Sequence, residues 1–374
     1  MAEPVAFGVS AGGARTIEAV GGADPDGIFR IASITKPFVA ALVLTLGQDG
    51  LLDLDEPVTR YLPRLSLPNG PVTLRQCLSH QAGLEHEWPT PLSDYGHGDD
   101  ALERLAETAA VAAPVEPGTW FSYASAGFYI AAAAAQAVAG VTFEGALEER
   151  ILGPLGLERT SFEGDAGLEY PRARRGGGGL FSCVDDLLAF AEHLLGGPGP
   201  LTSASLTEMT TPQIAAPGGS YGLGIGIREV DGRRILEHGG SVLGFRALLA
   251  LVLVEGIAFV GLSSSNDGRP AIDELRDRAL GLEPPEPEPL EPDREALAAA
   301  AGTYDTHTFG VTLAAVDGGL DVEIADANER VAAFAAPCGP GVFRVFGGQE
   351  EGLEVELLEP GLIRVGGIVA RRAD

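Results

Sequence analysis

Lysine is almost missing from this chain. Of 25 basic residues in 374, one is a lysine, Lys36, and the rest are arginines. Cysteine is scarce as well. Cys77, Cys183 and Cys338 are odd in number and far apart, which argues against a disulfide framework or a metal site and for three small buried side chains. No run of 18 uncharged apolar residues occurs. The longest apolar stretch, 245–262, is broken by Arg246 and Glu255 and is rich in β-branched residues, so it reads as a buried hairpin and not as a membrane span. The first ten residues carry no basic segment and no long apolar segment, so the expectation is no signal peptide and a cytoplasmic protein. Positive charge is short throughout: 53 acidic residues give a net charge of −28 and a pI near 4.5. Such a surface repels nucleic acid and anionic membranes, and neither is expected as a partner. Solubility is the plain reading of this acidity. Its combination with much Ala, Gly and Val and almost no Lys also suggests a halophilic protein from a high-salt cytoplasm.

The remaining composition, 45% hydrophobic with unperiodic Gly and Pro, is that of a globular soluble protein with room for a large core. A Pro/Glu run begins at Glu283 and ends at Pro289, and proline neither continues a helix nor pairs inside a sheet. The expected organisation is therefore a main domain over 1–282, a stiff linker over 283–292 and a small β-domain over 293–374. In the main part, strands are expected over 6–10, 16–20, 221–228, 234–237 and in the 245–262 hairpin. Helices are expected over 33–47, 73–78, 101–112, 124–139, 143–151, 183–195 and 203–210. After the linker a helix near 294–301 precedes short alternating strands over 310–316, 319–324, 342–346, 353–358 and 362–365. The fold class is α+β: an antiparallel sheet flanked by helices plus a helical lobe, with a C-terminal all-β unit.

Lys36 stands three residues after Ser33, at the start of a segment that is apolar nearly all round and hence centrally buried. Pro37 fits such a helix only in its first turn, which places Ser33 at the N-terminus and Lys36 one turn on. The helix end favours negative charge on a serine oxygen, and burial lowers the lysine pKa, so the amine could take the serine proton. A guanidinium could not. A Ser N-cap followed by a solvated lysine reads equally well from these four residues alone. Two further clusters bear on the choice. Tyr123-Ala124-Ser125 precedes an Ala-rich helix and could point a phenol and a hydroxyl into a cleft, the phenol's pKa being depressed by a nearby ammonium. His238-Gly239-Gly240-Ser241 lies between two expected strands. Its glycines would admit a substrate along the edge, and the Ser241 N–H could share an oxyanion with that of Ser33.

The order Ser-x-x-Lys, Tyr-x-Ser, His-Gly-Gly resembles the serine β-lactamase and penicillin-binding-protein superfamily, in its class C, DD-peptidase and esterase branch. Further matching text is Leu78-Ser79-His80-Gln81-Ala82-Gly83-Leu84, Gly153-Pro154-Leu155-Gly156-Leu157, Gly178-Gly179-Leu180-Phe181-Ser182, Tyr221-Gly222-Leu223-Gly224 and Ser265-Asn266-Asp267. The tail resembles the lipocalin-like domain some members carry. The resemblance implies Ser33 as acylated nucleophile, Lys36 as its proton acceptor, and Tyr123 as relay to the leaving group and activator of water. His238 stands where many relatives have lysine and would contribute a hydrogen bond or positive charge. Ser125, Gly239, Gly240 and Ser241 would bind substrate, as would Trp88 in a loop that overhangs the cleft with His86, Tyr95 and His97. No metal or organic cofactor is implied. Relatives often have Tyr-x-Asn, whose amide binds peptide-like and β-lactam substrates. Ser125 offers one donor, which tilts the expectation toward an esterase or amidase on a small substrate. The rivals are a D-amino-acid-specific peptidase, a β-lactamase, an acyltransferase, and a sensor that acylates without turnover.

Overall fold

The computed structural model describes residues 3–87, 96–108, 114–164, 170–242, 244–283, 288–291, 293–306, 308–326, 330–346 and 352–373. The chain opens with the hairpin β1 (Val5–Ala11) and β2 (Ala14–Val20), but the sheet it belongs to is completed some 200 residues later. Between these parts come the two-residue strands β3 (Phe29–Arg30) and β4 (Phe181–Ser182), which pair with each other. The sheet then gains β5 (Ile214–Ala216), β6 (Gly219–Tyr221), β7 (Gly226–Val230), β8 (Arg233–Val242), β9 (Phe245–Val252) and β10 (Ile257–Ser263). Its order is β2-β1-β10-β9-β8-β7-β6-β5, antiparallel throughout.

Strand β9 explains why the stretch between Arg246 and Glu255 shows no polar alternation. Ala247, Leu249 and Leu251 face the main core, while Leu248, Ala250 and Val252 face a second cluster with Ile272, Leu275 and Leu280. With period-2 side chains, a strand covered on both faces has no polar side to show. The second cover is α10 (Arg269–Leu280), a helix not foreseen in the sequence. The first includes α1 (Thr35–Gln48) and α8 (Val184–Leu194), joined by stacking of Phe38 on Phe190 with centroids 3.8 Å apart. The helical lobe holds α2 (Leu74–Leu78), α3 (Ala101–Thr108), α4 (Ser125–Ala139), α5 (Phe143–Leu147), a π turn over Glu148–Leu152, α6 (Gly153–Leu155), α7 (Arg175–Gly178) and α9 (Ser203–Met209). Thr73 and Gln76 close a reciprocal cap on α2, and α4 is buried from Ser125 to Gln136.

After α11 (Arg294–Ala300) the chain forms a closed barrel of β11 (Gly302–Asp305), β12 (Gly310–Val316), β13 (Gly319–Ala325), β14 (Arg330–Gly339), β15 (Val342–Val345), β16 (Glu354–Glu359), β17 (Leu362–Val365) and β18 (Ile368–Arg372), in sequence order. Closure runs through Tyr304↔Arg372 and Asp305↔Arg371. Tyr304, Val311, Leu320, Phe343, Val355 and Ile363 are among the side chains that pack its interior. Two expectations change in the main sheet. The strand expected over 221–228 is interrupted between Tyr221 and Gly226, and the strand expected over 234–237 runs on to Val242.

Candidate active site

Ser33 does not begin α1. It lies in a 3-10 turn, Ala32–Ile34, directly before that helix, and its side chain caps nothing. Ala32 holds the turn at φ +46°, a left-handed conformation that costs a non-glycine residue on the order of 1 kcal/mol or more. Thr35 ties it down: Oγ1 donates to Ala32 O at 2.7 Å and accepts from the Leu180 N–H at 3.1 Å. Pro37 sits in the first turn of α1, where its missing N–H does no harm.

Lys36 is fully buried, and its Nζ lies 3.1 Å from Ser33 Oγ, 3.4 Å from Ser125 Oγ and 2.7 Å from Gly177 O. The faces of Tyr123 and Phe128 are 4.9 and 5.5 Å away. Burial dominates the amine's titration. Its pKa falls from 10.5 to about 7, with Glu87 pulling it up and Arg174 pushing it further down. At neutral pH a large share of Lys36 is therefore the free amine, which can accept a proton from Ser33.

The Tyr123 hydroxyl lies near Ser33, but its pKa moves opposite to the sequence expectation. Burial raises it well above 10, and this outweighs the effect of Ser33, which lowers it. With its amine neighbour about half uncharged at pH 7, the site offers too little to offset the desolvation of a phenolate. Tyr123 is thus a neutral O–H donor. Its backbone is held on every side: Ser122 N–H to His80 O, Tyr123 N–H to Gly367 O and Ala124 N–H to His80 Nδ1, each at 2.9 Å, with His86 Nδ1 3.1 Å from Tyr123 O. The His80 ring stacks 4.2 Å from that of Tyr123, and its Nε2 has no hydrogen-bond partner among the described residues.

His238-Gly239-Gly240-Ser241 proves to be strand, the last part of β8. Pairing with β7 stops at Gly226↔Glu237, while pairing with β9 continues to Val242↔Phe245, so one edge from His238 onward is open among the described residues. Gly240 is needed for contact: a Cβ there would lie 2.2 Å from Ile31 O, just before the nucleophile turn. His238 carries no positive charge. Burial, and the charge of the nearby Lys36 ammonium, take its pKa down to about 3. Nδ1 is 2.7 Å from Gly239 O and Nε2 is 2.9 Å from Tyr221 Oη, which assigns the proton to Nδ1 and makes the ring an acceptor for the Tyr221 hydroxyl. The contribution left to His238 is hydrogen bonding.

Ser33, Tyr123, Ser125, His238, Gly239, Gly240 and Ser241 line one cavity of about 920 Å³, with Lys36 beneath it. Trp88 and Tyr95 lie outside the described residues. His86 lines the cavity, and His97 does not. The wall also includes groups that sequence reasoning passed over. Glu87 accepts from Tyr129 Oη at 2.9 Å and from Arg174 Nη2 at 3.0 Å, and both Glu87 and Arg174 line the cleft. Leu353 and the segment Gly366-Gly367-Ile368 come from the barrel. Tyr221 and Gly177 stood in or beside quoted motifs without a role. Among the described residues no group of three or more His, Cys, Asp or Glu is placed to hold a metal ion.

A serine against a buried amine whose pKa is lowered to about 7, with a neutral phenol beside it and an open strand edge opposite, defines a serine hydrolase that works by acyl transfer to its own side chain. The chain belongs to the beta-lactamase family, whose model matches residues 2–283. It is 26% identical over 75% of its length to penicillin-binding protein 4 of Amycolatopsis lactamdurans, covering 85% of that protein. It is 27% identical over 90% of its length to a D-aminopeptidase of Gluconobacter oxydans (strain 621H), covering 68% of that protein. In fold it superposes over its whole length on SurE, solved with D-Leu, at a TM-score of 0.77 and 22% identity, covering 95% of that chain.

Proposed function

We propose that the protein hydrolyses amides of small D-amino acyl compounds that carry a free amino group, and that Ser33, Lys36 and Tyr123 perform the chemistry. The observation that carries this reading is the 3.1 Å approach of Ser33 Oγ to a Lys36 amine whose pKa is brought to about 7. The free amine takes the Ser33 proton as Oγ attacks the substrate carbonyl. The resulting oxyanion lies toward the N–H groups of Ser33 and Ser241. As the tetrahedral adduct collapses, the Tyr123 hydroxyl gives its proton to the departing amine and recovers one from the Lys36 ammonium. Water then enters by the reverse relay: as it attacks the acyl-enzyme it gives a proton to Tyr123 while Tyr123 passes its own to the Lys36 amine, and the Lys36 ammonium returns a proton to Ser33 Oγ as the acyl bond breaks.

Two features support an amino acyl substrate. Glu87 places a carboxylate on the cleft wall, where a substrate ammonium can pair with it, and the relative from Gluconobacter oxydans is a D-aminopeptidase. Ser125 supports small amides and esters over β-lactams, because its short side chain offers a single O–H donor where relatives often have an amide with both donor and acceptor groups. Turnover of D- and L-alanine p-nitroanilide, p-nitrophenyl acetate and nitrocefin tests the reading. D-amide turnover well above that of the L-enantiomer and of nitrocefin is expected. Ester turnover with no D-amide turnover would leave an esterase, and a stable stoichiometric adduct in intact-mass spectra would leave a non-turnover acyl sensor.

A further inference from the structure

We propose that the C-terminal barrel positions Tyr123 through the turn Gly366-Gly367, so that the barrel is a working part of the active site. This rests on the role given to Tyr123 above. The segment leading into Tyr123, from Pro114 onward, lies against the barrel along its length. Val115 is buried with Leu362 and Val369, and Trp120 and Leu358 pack on them. Four polar links follow in order: Arg371 Nε donates to Pro114 O at 3.0 Å, Arg364 Nη1 to Phe121 O at 3.1 Å, Val369 N–H to Ser122 Oγ at 3.2 Å, and Tyr123 N–H to Gly367 O at 2.9 Å. Arg364 is buried, and Glu356 holds its guanidinium.

The last link reaches the reacting groups. Gly366 and Gly367 form the two-residue turn between β17 and β18, at φ +55° and +89°, values that suit glycine at both positions of such a turn. A Cβ at Gly367 would lie 3.8 Å from both Tyr123 Cβ and Phe121 Cε1, so the turn rests directly on the tyrosine. Every other backbone partner of Ser122, Tyr123 and Ala124 described above comes from His80 or His86, in the main part of the chain. The Tyr123 N–H alone is accepted by the barrel. Without Gly367 O that N–H would lose its acceptor, and the phenol would lose its fixed place beside Ser33. Misplacement of a catalytic group by about 1 Å can cost on the order of a hundredfold in rate.

The test is one extra glycine inserted between Gly366 and Gly367 in the full-length protein. A three-residue hairpin loop can keep the pairing of β17 with β18 while moving the acceptor. Folding is checked by circular dichroism and Tm. Amide turnover, with a leaving group that needs a proton, is expected to fall by about tenfold or more at nearly constant KM. Acylation by p-nitrophenyl acetate, whose phenolate leaves unaided, is expected to fall less. In a Tyr123→Phe background, with rates compared on the pH plateau above the acid limb, the insertion should have no further effect on either. An equal proportional loss in that background, or unchanged amide turnover in a folded insertion variant, would overturn the proposal. If the insertion does not fold, Ser122→Ala and Arg364→Gln, each alone and with Tyr123→Phe, give the same comparison. Full amide activity in Tyr123→Phe itself would instead sink the assigned role of the tyrosine.

Discussion

Replacing Lys36 by methionine should alter stability in a way that depends on pH, and the slope follows from where the amine sits. The side chain is fully buried and titrates near 7 where the unfolded chain titrates near 10.5. Between those values the unfolded chain binds more protons than the folded one, so the stability of the native sequence rises with pH across the window. Below pH 7 the folded state carries the whole cost of a buried ammonium, and above 10.5 it carries none. A two-site titration with these values puts the cost at about 4 kcal/mol at pH 7 and about 2 kcal/mol at pH 9. Methionine has a similar length and does not titrate. It leaves Gly177 O without its 2.7 Å donor, a penalty of about 1–3 kcal/mol that is the same at every pH and cancels from the slope. Urea unfolding of both proteins at pH 7, 8 and 9 is the assay. The native protein should gain about 2 kcal/mol on the variant over that interval. Parallel pH dependences would mean that the amine titrates near 10 in the folded state, and it could not then serve as the base at neutral pH.

Lys36→Arg keeps charge and bulk but cannot take the serine proton, so acylation by a fluorophosphonate, followed by intact mass, should slow by about a hundredfold or more. In the native protein kcat/KM should rise with pH through an acid limb near 7, the region to which burial brings Lys36; a limb near 4 would point to a carboxylate base. Tyr221→Phe removes the 2.9 Å donor to His238 Nε2 and should lower kcat/KM severalfold without changing the acid limb, since His238 is already neutral at that pH. Ile368→Trp adds bulk to the barrel's side of the cleft and should raise KM for large acyl groups while sparing acetyl esters. The proposed halophilic character predicts a Tm that climbs by several degrees or more between low and molar KCl, because salt screens the net charge of −28; a flat Tm would leave the acidity as a solubility feature.

The parts of the fold that were legible in sequence are those whose pattern matches their burial. α1, α4 and α8 show unbroken or one-sided apolar faces, and the 245–262 hairpin is apolar on both faces because both are covered. What escaped did so for local reasons. α10 is rich in Arg and Asp and buries chiefly Ile272, Leu275 and Leu280, and β14 is built largely of alanine with a proline near its end. Gly239-Gly240 reads in sequence as lying between two strands, whereas β8 runs through the pair and uses Gly240 to admit the Ile31 carbonyl. The Ser33, Lys36, Tyr123 and His238 positions could be picked out because their chemistry is in the side chains. Gly177 O and Gly367 O could not, since any residue offers a carbonyl and only the fold says where it points.

The electrostatics of the cleft have one cause. In water an amine and a phenol titrate within about half a unit of each other, so neither is a natural base for the other. Burial disfavours whichever form is charged, and it therefore moves the two in opposite directions: Lys36 down to about 7, Tyr123 up beyond 10. The same burial keeps His238 neutral. At neutral pH the groups around Ser33 thus form a largely uncharged array in which one member is poised to accept a proton and another to donate one. Separated pKa values of this kind assign acid and base roles. The arrangement depends on the exclusion of water over Tyr123, and the Gly366-Gly367 turn of the barrel supplies part of that cover. A variant that lifts the turn should consequently lower the Tyr123 pKa and raise that of Lys36 together. In the glycine-insertion protein the acid limb of kcat/KM would then move above 7. A limb that stayed in place while turnover fell would mean that the turn aligns the phenol without also sealing the site.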